Sequence, residues 1–478
     1  MKKYIISAIC LFLTFTSCEV DEDLNIDTKS PTFVPASGLF TNGVRNMFDL
    51  MNSTSVNDNV FRLYAQYFAQ TTYPDESQYN QITRNIGGSI WNTLYRDVLQ
   101  DLKGAKELAE KEASGDPVAQ KDLPAKLAQI NFVEVYAYSI LVDTFGNIPY
   151  SEALDPLNPS PKYDDAATIY SDLLSKLDDV INKINTGNGF DASQDPIYEG
   201  DMGKWKKAAA SLKLRMAMRL ADSNPTLSKQ KAEEAINSGV IVMNADNFGI
   251  KYLSSAPNTN PLWVSLVQSG RIDFIAANTL VDVMNPINDP RLGAYFEMQN
   301  GAYVGGQYGS ANSPTGGSAI SDLMKTPSLQ GNIMTAAEVN FLLAEATARA
   351  YSAPKTTEEY YNNGITESIL EWQGTATDAS TYLAQTDVAY TTAAGDWKTR
   401  IATQKWIAMY NNGFEGWTSW RIFDVPTLNT PDGMTINDIP KRFLYPIVQA
   451  QLNGANNSEA STAIGGDLKT TKLFWDKN

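Results

Sequence analysis

The chain has 478 residues, of which 43% are hydrophobic and 10% aromatic, so there is ample apolar material for a large soluble core of one to three domains. Lys and Arg number 38 against 54 Asp and Glu, a net charge of −16, which excludes the clustered cations that a nucleic-acid backbone requires. Histidine is absent, and with it go Ser-His-Asp triads, His-based zinc sites and His-rich di-iron sites.

The N-terminus reads Met-Lys-Lys, then an apolar run from Tyr4 to Phe15, then Thr16-Ser17-Cys18. A basic start, an apolar stretch of about a dozen residues and small residues before a cut site form a secretory signal, too short for a membrane span. Residues 1–17 are expected to be removed. Cys10 leaves with them, so Cys18 becomes both the first residue and the only cysteine, and no internal disulfide can form. A cysteine placed at the cut site resembles a lipobox, in which the thiol and the new amine are acylated; two or three acyl chains anchor stably where one does not. Residues 18–36 then read as a tether, and Glu19, Asp21, Glu22 and Asp23 keep it away from anionic headgroups.

From residue 37 helical periodicity dominates. Trp91, Leu94, Tyr95, Val98, Leu102, Ala105, Leu108 and Ala109 lay one apolar stripe along a helix of some twenty residues. Further helices are predicted over Pro124–Leu141, Asp165–Ile184, Trp205–Leu220 and Ser228–Ser238, the last with Gly239 behind it as the residue that accepts a left-handed conformation. Thr335–Tyr351 follows, where Thr335 and Glu338 read as a capping box. The series ends with Thr356–Trp372 and with Trp397–Asn412, which Gly413 is expected to terminate. Alanines three or four residues from Trp205, Phe341 and Trp406 alternate large with small, as in tetratricopeptide pairs, but no 34-residue period fits. The fold class expected is mostly α: degenerate tetratricopeptide-like helix pairs supporting an irregular, loop-rich ligand-binding part.

Two long segments differ from the rest. Tyr73–Gly88 is polar, and Lys251–Ile333, an insert of about 251–333 in a body of 37–478, is rich in Asn, Gly, Ser, Pro and aromatics. Loops of this length in a compact body are usually functional or disordered, and the aromatics favour function. Flat apolar faces beside fixed polar groups suit sugar rings. The candidates are Tyr73, Tyr79 and Trp91 around the first loop, and Trp263, Arg271, Tyr303 and Tyr308 in the second. The periodicity favours the core for Trp91 over binding, and Trp263 fits packing as well as binding. Tyr303 and Tyr308 lie in a stretch too glycine-rich to hide a tyrosine easily. Trp205, Trp397 and Trp406 are assigned to helix packing, and Trp417 and Trp420 to structural places astride a turn. Asp289 is expected to cap a turn or pair with Arg291. The Gly-rich run around Tyr303 lacks the Lys-Ser/Thr ending of a phosphate loop. No Asp-x-Asp-x-Asp-Gly calcium loop occurs, and no cofactor is called for. Two of the 54 acids could converge at the roughly 5–10 Å that glycoside hydrolysis needs, which keeps a hydrolase reading open.

Val142-Asp143-Thr144-Phe145-Gly146-Asn147-Ile148-Pro149-Tyr150 is very similar to a signature of the SusD/RagB family of outer-membrane nutrient-binding lipoproteins. Other marks of that family follow in order: Ser211–Arg215, Asn288–Leu292, Ile333–Thr335 leading to Glu338 and Phe341–Ala346, Gly416-Trp417 with Arg421, and Arg442–Pro446. Gln449 departs from the family's frequent Glu, and Trp420-Arg421 from its double arginine. The resemblance implies four tetratricopeptide-like units and no catalysis. It also implies a lipid-anchored, surface-exposed place on the outer membrane, over a TonB-dependent SusC-type barrel to which an oligosaccharide, or in some members a peptide, is handed.

Overall fold

The computed structural model describes residues 34–477. The expected signal peptide, Cys18 and most of the tether lie outside the described residues. The body opens with α1 (Ala36–Asn52), which buries Phe40, Val44, Met47, Phe48 and Met51 on one face. α2 begins at Ile86–Asn92, passes through a π-helical stretch, Thr93–Leu99, and continues as Gln100–Ala113. The apolar stripe read from the sequence is its buried side. α3 (Pro117–Phe145) starts a turn and more before the expected Pro124, because Asp116 accepts from the backbone of Val118 and Ala119 and Pro117 occupies the first turn, where its missing N–H costs nothing. Pro124 is thus inside the helix.

Capping fixes the next boundaries. Asp165 starts α4 (Ala166–Lys183), Asp201 starts α5 (Met202–Arg219) and Asn224 starts α6 (Pro225–Ser238), which ends at Gly239 with φ 85°. Thr335 caps α7 (Ala336–Ala348), but the box is half made: the Thr335 hydroxyl accepts from Glu338 N while the Glu338 carboxylate turns inward to Arg215. A full box caps α8 (Thr357–Glu371), and α9 (Ala376–Leu383) packs against it. α10 (Trp397–Ala408) does end near residue 412, yet Gly413 opens α11 (Gly413–Phe423) instead of stopping a helix. A side chain at Gly413 would meet the backbone of Arg62 at 2.5 Å, so the glycine is there for close approach. Trp417 and Trp420 therefore lie on a helix, not a turn, and both are buried.

Successive helices pack on one another from α1 to α6, and α7 packs on α5, α8 and α10. This is the mostly helical, paired arrangement expected. A chain of buried charges joins the pairs. Arg219 on α5 bridges Asp143 on α3 and Glu415 on α11. One turn earlier, Arg215 holds Glu338 through two bonds of 2.6 and 2.7 Å and approaches Glu415 at 3.6 Å. Burial alone would raise Glu415, but Arg215 and Arg219 outweigh it and pull that carboxyl down to about 2. Asp143 also accepts from Tyr170 at 2.7 Å and from the Trp475 indole at 2.9 Å. Arg421 donates to the carbonyls of Asp143 and Lys441 and stacks 3.6 Å from the Trp417 ring, while Arg442 donates to the Phe145 carbonyl.

Three two-stranded ladders organise the rest. β2 (Ile148–Pro149) pairs with β3 (Tyr163–Asp164). β1 (Phe68–Gln70) pairs with β5 (Phe274–Ala276). β4 (Phe248–Ile250) pairs with β6 (Gly331–Met334) at the two ends of the expected insert. Between those ends lie short helices, β5 and irregular chain. Asp289 and Arg291 do pair, through bonds of 2.8 and 2.6 Å in a buried place.

Candidate functional site

A cleft of about 850 Å³ opens where α1, the loop after β1 and the insert meet. α1 contributes Arg45, Asn46, Asp49 and Leu50, followed by the turn Ser53–Asp58. The β1–β5 ladder brings the two irregular segments side by side: Thr71 N donates to Asp273 O at 2.9 Å and the Thr71 hydroxyl to Ile272 O at 2.5 Å. Beyond the ladder, Gln70 folds the loop back on itself, donating to Glu76 at 2.6 Å and accepting from Ser77 N at 2.8 Å. That turn leaves Tyr73 at the mouth of the cleft, 57% exposed. Two π-helical stretches border the space, Thr93–Leu99 through Thr93 and Asp97, and Val264–Gln268 through Val264 and Ser265. Widened turns of this kind recur at functional sites, because the extra residue re-aims side chains that a regular helix would bury.

Each arginine of the cleft is held by a carboxylate. Arg45 Nε lies 2.8 Å from Asp49, and its other nitrogens reach Asn258 Oδ1 at 2.7 Å and Pro257 O at 3.3 Å. Arg84 pairs with the buried Glu76. Arg271 clasps Asp273 with Nε and Nη2 at 2.8 Å, and that hydrogen bond, with the neighbouring charge, holds the guanidinium above its ordinary value. Asp49 is raised, chiefly because burial disfavours its charge, against the opposing bonds from Tyr252 and Arg45.

The residues expected from the sequence divide. Tyr73 and Arg271 line the cleft. Trp263 is half-buried on the short helix Pro261–Trp263, whose neighbours Pro261 and Val264 line it. Tyr303 is half-buried elsewhere, its hydroxyl over the backbone of Gly293 and its phenol raised by burial. Three expectations are corrected. Trp91 is 5% exposed, packed between Tyr95, Phe145 and Tyr445. Tyr79 is 2% exposed; it accepts from Gln66 at 3.2 Å, meets Tyr64 edge-on, and burial pushes its phenol to about 12. Tyr308 is 1% exposed against Tyr79, because glycines on both sides let the strap lie flat on the body: a Cβ at Gly306 would meet Ile275 at 2.5 Å, and one at Gly309 would meet Pro431 at 2.6 Å. Glycine density here means close approach, the reverse of the exposure read from it.

The sequence reading missed the whole contribution of α1. The signal was the Arg45 and Asp49 pair, four residues apart on a helix face and followed by the polar run Ser53–Asn59. Among the described residues no group of three His, Cys, Asp or Glu could hold a metal ion, and no helix is long and apolar enough to cross a membrane.

Residues 28–446 match the profile of a SusD-like family described as starch-binding and associating with the outer membrane. No curated protein sequence matches. Among solved structures, a SusD homologue from Bacteroides ovatus is 26% identical with a TM-score of 0.77, over 92% of this chain and 99% of that one. A chitin-binding SusD homologue from Flavobacterium johnsoniae is 24% identical with a TM-score of 0.77, again over 92% and 99%. A SusD-like protein from Bacteroides thetaiotaomicron is 24% identical with a TM-score of 0.76, over 93% and 99%.

Proposed function

Since this chain belongs to the SusD-like family, associated with the outer membrane, we propose that it captures an oligosaccharide at the cell surface and delivers it, uncleaved, to a TonB-dependent SusC-type barrel. The observation that carries the reading is the cleft. Its 850 Å³ suits several sugar rings, it offers the face of Tyr73 for stacking, and it is walled by amides and hydroxyls of Asn46, Asn57, Thr93, Thr259 and Ser265. The chitin-binding homologue of the same fold supports a carbohydrate cargo. Acylation of Cys18 and the acidic tether behind it supply the anchor in this reading.

The test is calorimetry of the mature chain against plant, host and microbial oligosaccharides and a peptide mixture, with reducing ends assayed alongside. Micromolar to millimolar binding of one glycan class without new reducing ends is the expected result. Binding only to peptides overturns the sugar reading, and release of reducing ends from a bound glycan replaces it with a hydrolase. Tyr73→Ala is expected to weaken the bound glycan roughly tenfold, the scale of one lost ring contact.

A further inference from the structure

The charge of the cleft restricts what it can hold. Its lining contains three arginines, no lysine and five carboxylates. Recognition of a uronate or a sulfate ester requires a cationic fork free to receive it. Here Arg45 is engaged by Asp49, Asn258 and the Pro257 carbonyl, Arg84 by Glu76 through Nε, and Arg271 by Asp273 through Nε and Nη2, so each guanidinium has a carboxylate beside it. Asp97 is paired outward with Arg96, which leaves Asp58, exposed and in no ion pair among the described residues, bonded only by the Ser53 hydroxyl at 2.6 Å. An anionic sugar entering this space meets a surplus of negative charge within a Debye length, in a molecule that is itself at −16.

We infer that the cleft selects its glycan by charge, accepting uncharged chains and those bearing free amino groups while rejecting uronate-containing and sulfated ones. The inference rests on the glycan-binding reading above. Its mechanism is the pairing of every arginine with its own carboxylate, which offsets the positive charge that would hold a competing anion. The Arg271 and Asp273 pair is the place to undo it. Both side chains are substantially exposed, so their clasp contributes little to folding and can be opened without harm to the body.

The experiment is electrophoresis of the mature chain through gels holding, one at a time, soluble starch, glycol chitin, chitosan, xyloglucan, polygalacturonate, alginate and chondroitin sulfate, at 20 and 150 mM salt. Retardation confined to one or more of the first four is expected, with chitosan losing its effect at the higher salt. Asp273→Ala, which leaves Arg271 without its carboxylate, is expected to gain retardation on polygalacturonate by at least threefold in apparent affinity. Retardation of the wild type on any of the three polyanions overturns the charge rule and leaves the glycan reading standing. A variant that gains nothing on polygalacturonate overturns the paired-arginine mechanism. No retardation on any polysaccharide, together with binding of the peptide mixture, overturns both readings at once.

Discussion

The buried charges of the helical body and the charges of the cleft are built from the same residue types and behave oppositely. In the body, Asp143, Arg219, Glu415, Arg215 and Glu338 lie across four helices with almost no access to water, each in contact with the next. In the cleft, Arg271 pairs with Asp273, two residues away and largely open to solvent, and Arg45 with Asp49, one helical turn away and partly exposed. A buried ion separated from its partner has no water to replace it, whereas an exposed pair exchanges its partner for solvent at small cost. Charge in the body therefore fixes which helix lies against which; charge in the cleft is free to discriminate among ligands.

The largest expected effect comes from breaking the body. Arg219→Ala strands Asp143 and Glu415 and should lower unfolding stability by about 3–5 kcal/mol, read from the urea midpoint. Trp91→Ala should cost about as much, ~3–5 kcal/mol, by leaving a cavity among Tyr95, Phe145 and Tyr445. If it instead removes ligand binding while stability holds, the division between the two regions fails. A smaller effect sits at the seam. Glu371 at the end of α8 accepts from Asn332 on β6 at 2.8 Å, and burial pushes its carboxyl to about 7 against 4.5 in a free chain. The folded protein then holds more protons than the unfolded one between those values, so stability should fall as pH rises from 4.5 to 7 and level off above. Glu371→Gln should flatten that slope, gaining on the order of 1–3 kcal/mol at pH 8 and nothing at pH 4. Smallest of all, Arg271→Ala should leave the urea midpoint where it is, because its pair with Asp273 is largely exposed.

The same contrast explains what was legible in the sequence. Helix positions followed from apolar stripes and capping residues, because burial of one face and satisfaction of the first turn are local requirements. Departures came where tertiary contacts intervened: Glu338 leaves its capping box for Arg215, and Gly413 starts a helix because Arg62 lies against it. The residues that carried the family resemblance, Asp143, Arg215, Glu338, Arg421 and Arg442, are all in the body, and none lines the cleft. That pattern describes how the chain folds and is silent about its cargo. The site was half legible: Tyr73 and Arg271 stand in polar loops, whereas Tyr79 and Tyr308 look equally available until the β1–β5 ladder and the surrounding glycines press them onto the body. Nothing in the spacing of residues 37–60 announced that α1 would meet residues more than 200 positions away.

The β4–β6 ladder closes the insert at its base, with Ile250 opposite Gly331, so eighty residues leave and re-enter the body through neighbouring strands about 4.8 Å apart. A segment with coincident ends is a cassette. Its exposed loops can change in length at little cost, since joining two points already held together asks little of the chain that spans them, while Tyr295, stacked on Tyr410, and Arg291, bonded to Gln404, tie its interior to the helices. Chimeras are the practical use: the insert of another protein of this fold, spliced between Ile250 and Gly331, should seat on this scaffold where it keeps those contacts and the β1–β5 pairing.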